Sequence, residues 1–188
     1  PDKMSFDTVS GTLSALGSSW QQGGVSLTVT PCDAAGVVYT PNLFGATEPE
    51  SPENGDVWLK QAEDAPWSYR DALKLYSTAG GWQNILLNYC RVTCKGLGEA
   101  FKAGDTVTLT GIPSVVKNAY SSDFSGDVVV DDVAGDSVIL SIAPDIESVL
   151  YYGTCVVTGQ SVVWTAMDGK TTQTFDGPFP DVTAQRRG

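Results

Sequence analysis

SPENGDVWLKQAEDAPWSYRDALKLYSTAGGWQNI, Ser51 to Ile85, is the stretch that decides the fold. Pro52 and Asn54-Gly55-Asp56 predict a turn, and a short strand follows around Trp58. A loop carrying Pro66 and Trp67 leads to a second strand around Leu75. Gly80-Gly81 turns the chain into a third strand that opens at Trp82. Three short strands separated by such turns form a small β-meander. A sheet of this size buries little by itself, so Trp58, Tyr76 and Trp82 are expected to fill its core. Trp67, between Pro66 and Ser68 in the loop, is the aromatic residue expected to be exposed, and it is the candidate for ligand contact.

Upstream, Phe6, Val9, Leu13, Leu16 and Trp20 recur at spacings of a heptad-like stripe. They predict a helix over 5–20 that starts near Ser5 and stops before Gly23-Gly24. Gly11, Gly17 and several serines and threonines make it a poor helix by itself, so it needs a partner. The stripe is therefore the candidate assembly interface, packed on the chain's own β domain or on the same helix in a neighbouring copy. Val25 to Thr30, VSLTVT, alternates as a strand ended by Pro31, and Val37 to Thr40 predicts another short strand. Pro41 to Gly55 holds three prolines and three glutamates and reads as a linker.

Downstream, Leu86 to Cys94 alternates with its even positions inward. Asp105–Gly111, Asp127–Val130, Ser137–Ile142, Thr154–Thr158 and Ser161–Thr165 follow as strands bounded by Gly, Asp or Pro. Strands at this spacing predict a barrel or sandwich. The expected fold is thus mainly β. It comprises an N-terminal helix or arm over 1–24, a strand, linker and Trp-containing meander over 25–85, a barrel-like or sandwich β domain over 86–170, and an extended C-terminal tail over 171–188. Removing Asp176 to Gly188 is expected to leave the β domain folded.

Composition restricts the chemistry. The 188 residues carry a net charge of −11 and contain no histidine. The usual general base, metal ligand and pH switch are therefore missing. Phosphate-based nucleic-acid binding needs clustered Lys and Arg, and the 11 basic residues here are scattered apart from Arg186-Arg187. No apolar run approaches the ~20 residues of a membrane span, and PDKMSFDTVSG lacks the basic start and apolar core of a secretory signal. Cys32, Cys90, Cys94 and Cys155 lack zinc-knuckle spacing and are expected to be reduced, buried thiols. Asp123, Asp127, Asp131, Asp132 and Asp136 are the residues to consider for a hard cation such as calcium. They form no twelve-residue ligand loop, and aspartates are ordinary turn residues. No catalytic residue, cofactor or metal is expected.

Two resemblances extend this reading. The meander, with its Gly-Asp-x-Trp start and Gly-Trp finish, resembles one found in bacteriophage tail-fibre and other virion proteins. Trp82, Gly96, Phe101, Lys102, Gly104, Asp105, Gly111, Val130, Val133, Asp136, Val138 and Leu140 follow a pattern that resembles uncharacterised virion proteins of phages and prophages of gut Firmicutes. Together they cover roughly 47–165. They imply a virion structural protein, tail-, baseplate-, fibre- or head-associated, made in the bacterial host cytoplasm. Its partners would be copies of itself and other virion proteins, with no nucleic acid or membrane. The alternatives are a host-attachment module that binds surface carbohydrate and, more remotely, a small carboxylate-dependent glycoside hydrolase.

Overall fold

The computed structural model describes residues 18–60, 73–120, 123–124, 126–144 and 153–187. Their strands are β1 (Ser19–Gln21), β2 (Leu27–Cys32), β3 (Leu43–Phe44), β4 (Val57–Leu59), β5 (Leu73–Ser77), β6 (Gly81–Asn84) and β7 (Tyr89–Thr93). β8 (Thr106–Thr110), β9 (Asp127–Ala134), β10 (Ser137–Leu140), β11 (Gly153–Val157), β12 (Ser161–Ala166), β13 (Thr172–Asp176) and β14 (Thr183–Arg186) follow. Two short helices, α1 (Leu97–Ala100) and α2 (Ser114–Ala119), complete the set.

Ten strands form one antiparallel sheet in the order β1-β14-β8-β9-β10-β7-β2-β11-β12-β13. Alternation in the sequence decides which face each residue takes. Leu27 and Val29, Cys90 and Val92, Val107 and Leu109, Val128 and Val130, and Val162 and Trp164 all enter one apolar core. Strands from both ends of the sheet contribute to it, Trp20 from β1 and the partly buried Phe175 from β13. The sheet must therefore curl around a shared interior. The connections demand the same curl. β1 and β2 are six strand spacings apart in the order, ~29 Å if the sheet were flat. The chain from Gln21 to Leu27 reaches only ~20 Å when fully extended. β1 and β13 are not hydrogen-bonded to each other, so the sheet curls without closing.

α1 covers one end of the core. An added Cβ at Gly98 would lie 1.9 Å from the Gly135 carbonyl oxygen, so only glycine allows this helix to approach the β9–β10 turn so closely. Trp20 Nε1 donates to the Lys95 carbonyl at 2.8 Å, which ties β1 to the entry of the same helix.

β3-β4-β5-β6 form a second, four-stranded sheet, with β3 parallel to β4 and the rest antiparallel. The expected meander strands at Trp58, Leu75 and Trp82 are all present. One face carries Val57, Leu59 and Leu73, which pack with Ile85, Leu87 and the half-buried Tyr39, Leu75 and Met167. Met167 follows β12 of the large sheet, and Lys170 Nζ lies 4.9 Å from the Phe44 ring centroid, so the small sheet sits against the β12–β13 hairpin. The opposite face carries the aromatic group. Trp82 stacks at 5.4 Å from Trp58 and 5.1 Å from Tyr76. Those aromatic residues therefore lie opposite the aliphatic core that they were expected to fill.

Several expectations are corrected. Of the helical stripe, Phe6, Val9, Leu13 and Leu16 lie outside the described residues, while Trp20 is on a strand. Ser19, Trp20 and Gln21 alternate exposed, buried, exposed, and their backbone pairs with β14, which satisfies it without a helix. Pro31 lies inside β2 opposite Cys90, beyond the part of β2 that pairs with β11, where its missing N–H is tolerated. Val37 to Thr40 is not a strand, because the Asp33 carboxylate accepts the N–H groups of Ala35 and Val37 and the Tyr39 hydroxyl, and so organises a loop. Within the expected linker, Leu43-Phe44 pairs with β4, and Asn42 zips the two strands together by accepting the Val57 N–H and donating its own to the Val57 carbonyl. Leu86 is 57 % exposed, and Leu87 is the buried neighbour.

The 171–188 segment is no surface tail: it supplies β13 and β14, and Val182 and Ala184 enter the core. Burying a valine side chain alone is worth about 1.5–3 kcal/mol. A chain lacking Asp176 to Gly188 is therefore expected to lose cooperative unfolding, contrary to the reading from sequence. Near-UV circular dichroism and a thermal melt check this.

Candidate functional site

The outer face of β1-β14-β8 forms an open hollow of about 1000 Å³. Its chemistry follows from strand parity. In Thr106–Thr110, TVTLT, the valine and leucine turn inward and the threonines outward. In Thr183–Arg186, Ala184 turns inward while Thr183 and Gln185 turn outward. The registers align Ser19, Gln185 and Thr108 in one row and Gln21, Thr183 and Thr110 in the next. The surface is thus a lattice of hydroxyls and amides. At its margin, the Arg187 guanidinium lies 3.6 Å from the Asp127 carboxylate, which also accepts the Thr108 hydroxyl at 2.5 Å. Such a surface can hydrogen-bond a polar chain or a sugar.

The ground beneath it is held by buried polar groups. Gln22 is only 3 % exposed. Its side-chain amide donates to the carbonyls of Val25 (2.8 Å) and Val157 (3.0 Å) and accepts the Val182 N–H (3.1 Å). It thereby joins the β1–β14 edge to β11, on the other side of the core. Asp181 accepts the Gln21 side-chain amide and the N–H groups of Gly23 and Gly24, and these donors hold its carboxyl below the ordinary value. Burial by itself raises the Asp105 carboxyl. The Lys102 N–H and the Arg186 guanidinium, 3.0 Å away, outweigh burial and hold it below the usual range.

The cysteines are four free, buried thiols. Burial pushes Cys155 up to about 12. It does the same to Cys32, helped by the neighbouring Asp33 charge, and it raises Cys90 and Cys94 as well. A thiolate nucleophile is therefore strongly disfavoured.

The aspartates considered for a cation are dispersed and locally engaged. Asp136 accepts the Gly96 N–H, Asp132 the Val133 N–H, and Asp131 the Ser141 hydroxyl. Among the described residues, no group of three or more potential ligands is placed to hold a metal. Trp67 lies outside the described residues, and Trp20 is buried within its own chain. The sequence reading missed the depression because half of it comes from the presumed tail. The signal was there in the alternation of Val182, Ala184 and Arg186. Among the described residues, no helix is long and apolar enough to cross a membrane. No protein-family model, curated protein or solved structure matches this chain.

Two outcomes follow from these contacts. Gln22→Ala leaves the Val182 N–H and the Val157 carbonyl without their partner and is expected to cost about 2–3 kcal/mol, read from chemical denaturation. Asp105 has a depressed carboxyl, so its stabilising contribution is present above the unfolded-state value near 4 and is lost as pH falls through the folded-state value. Asp105→Asn is expected to melt below the parent at pH 7, and the gap is expected to shrink below pH 4.

Proposed function

We propose that this chain is a structural protein of a phage particle, working by binding copies of itself and neighbouring virion proteins. The observation that carries the reading is the ten-stranded sheet whose end strands, β1 and β13, have a neighbour on one side only among the described residues, joined to a second small sheet of the Trp meander type. Unpaired edges and polar sheet faces are the means by which β modules add neighbours. The resemblance over roughly 47–165 points the same way. The absence of histidine from the sequence and the burial of every thiol weigh against nucleophilic catalysis.

A second reading is a host-attachment module that binds surface carbohydrate. The hydroxyl- and amide-rich depression of Ser19, Gln21, Thr108, Thr110, Thr183 and Gln185 favours it. The two readings part experimentally. Mass spectrometry of purified particles and their subassemblies is expected to find the chain at a fixed, multi-copy stoichiometry, and immunogold labelling is expected to place it at one location. Its absence from the particle overturns the structural reading, as does turnover of a cell-wall or capsule glycan by the purified protein. Binding to a glycan array that is lost on Gln185→Ala favours attachment.

A further inference from the structure

We propose that β13 is a self-recognition edge, at which two copies of this chain pair antiparallel about a two-fold axis through Thr174. The inference deepens the structural reading above and rests on its claim of self-association.

The ladder with β12 decides which groups are free. Ala166 N–H donates to the Thr171 carbonyl and Gly177 N–H to the Gln160 carbonyl, at the two ends of a hairpin in regular register. In an antiparallel ladder the direction alternates along the strand. Residues 171, 173, 175 and 177 therefore turn their backbone groups to β12. Thr172, Thr174 and Asp176 turn theirs outward, on a strand whose residues are exposed apart from the half-buried Phe175.

Edge strands in soluble proteins are normally blunted by brevity, proline, lysine or a bulge. Among the described residues, β1 is blunted by its three residues, β3 by its two and β6 by its four, the first of them Gly81. β13 is five residues of TQTFD, with no proline, lysine or bulge, and Asp176 at its end is its one charged side chain.

The edge also complements itself. Pairing Thr174 with the partner's Thr174 sets Thr172 against the partner's Asp176, so all three outward residues exchange backbone hydrogen bonds. On the core side, Gln173 falls across from the partner's Phe175 and covers the flank that the core leaves half-exposed. Charge selects this register. The chain carries −11, yet Asp176 is the only charged residue on the strand. The two Asp176 side chains end up ~14 Å apart along the strands, beyond the ~8 Å screening length at physiological salt. A slide that aligned them would place like charges directly opposite.

The test uses the full chain. Sedimentation equilibrium is expected to show a concentration-dependent dimer. Thr174→Pro removes an outward N–H that the β12 ladder does not use, and Thr174→Lys sets two cations face to face. Both are expected to reduce dimer affinity at least tenfold. If Thr174→Pro lowers the melting temperature, Thr174→Lys decides. Thr174→Cys is expected to cross-link under mild oxidation, since paired Cα atoms lie ~5.5 Å apart, within disulfide range. Val129→Cys, on a 51 % exposed site elsewhere, is the control. The native thiols are buried and do not compete. A strictly monomeric parent, a dimer indifferent to both Thr174 variants, or equal cross-linking of the two cysteine variants overturns the proposal. Particle incorporation of Thr174→Lys at parental levels rejects this edge while leaving the virion reading intact. A β13 dimer from a chain absent from particles does the reverse.

Discussion

The buried amide of Gln22 stands where the β1–β14 edge of the curled sheet meets the interior strand β11, and the rest of the large sheet depends on that meeting. β1 and β2 are consecutive in the chain but lie far apart in sheet order. The short connection between them cannot span a flat sheet, so the edge must come round to the interior strand. Gln22 makes the contact specific: its donors reach Val25 and Val157, and its acceptor takes the Val182 N–H. A hydrocarbon side chain there could fill the space but would leave buried backbone groups unpaired. The β13–β14 connection imposes the same constraint from the other edge, so both ends of the sheet close over one core.

The small sheet shows the consequence of limited size. Four short strands offer two faces and no third layer of their own. One face is covered by Tyr39, Ile85, Leu87 and Met167, borrowed from the connections to the large sheet. The other is filled by its own rings, with Trp58 only 3 % exposed and its Nε1 bonded to the Gly45 carbonyl at 2.9 Å. Large aromatic side chains are the economical answer, since each removes more area from water than an aliphatic one. Their placement accounts for the meander by packing and requires no sugar ligand.

Charge in this chain is structural before it is functional. Asp33, Asp105 and Asp181 each order a loop by accepting several N–H or O–H groups, and Arg186 enters the same network. Among the described residues, Asp127, Asp131, Asp132 and Asp176 stand on strands instead. The outward faces of β1, β14 and β8 are left neutral and rich in hydrogen-bonding groups, and the β13 edge is nearly neutral. In a chain with this net charge, such neutral surfaces are where another molecule can approach with the least repulsion.

Local pattern determined a good part of this protein. The meander strands at Trp58, Leu75 and Trp82, the inward faces of Cys90–Cys94 and Val107–Leu109, and the strand runs from Asp127 to Thr165 follow from alternation and turn residues, which act over a few neighbours. Pairing partners were not legible, because backbone hydrogen bonds carry no side-chain signature. The sequence could not show that Ser19–Gln21 would find β14 at the far end of the chain, or that Thr183–Arg186 would seat Val182 and Ala184 in the core. Weak, short alternations such as TAQR and SWQ form strands only when a neighbouring strand already presents its groups. The polar depression, the Gln22 junction and the free edge of β13 were therefore decided by tertiary structure alone, since each depends on which strands stand side by side.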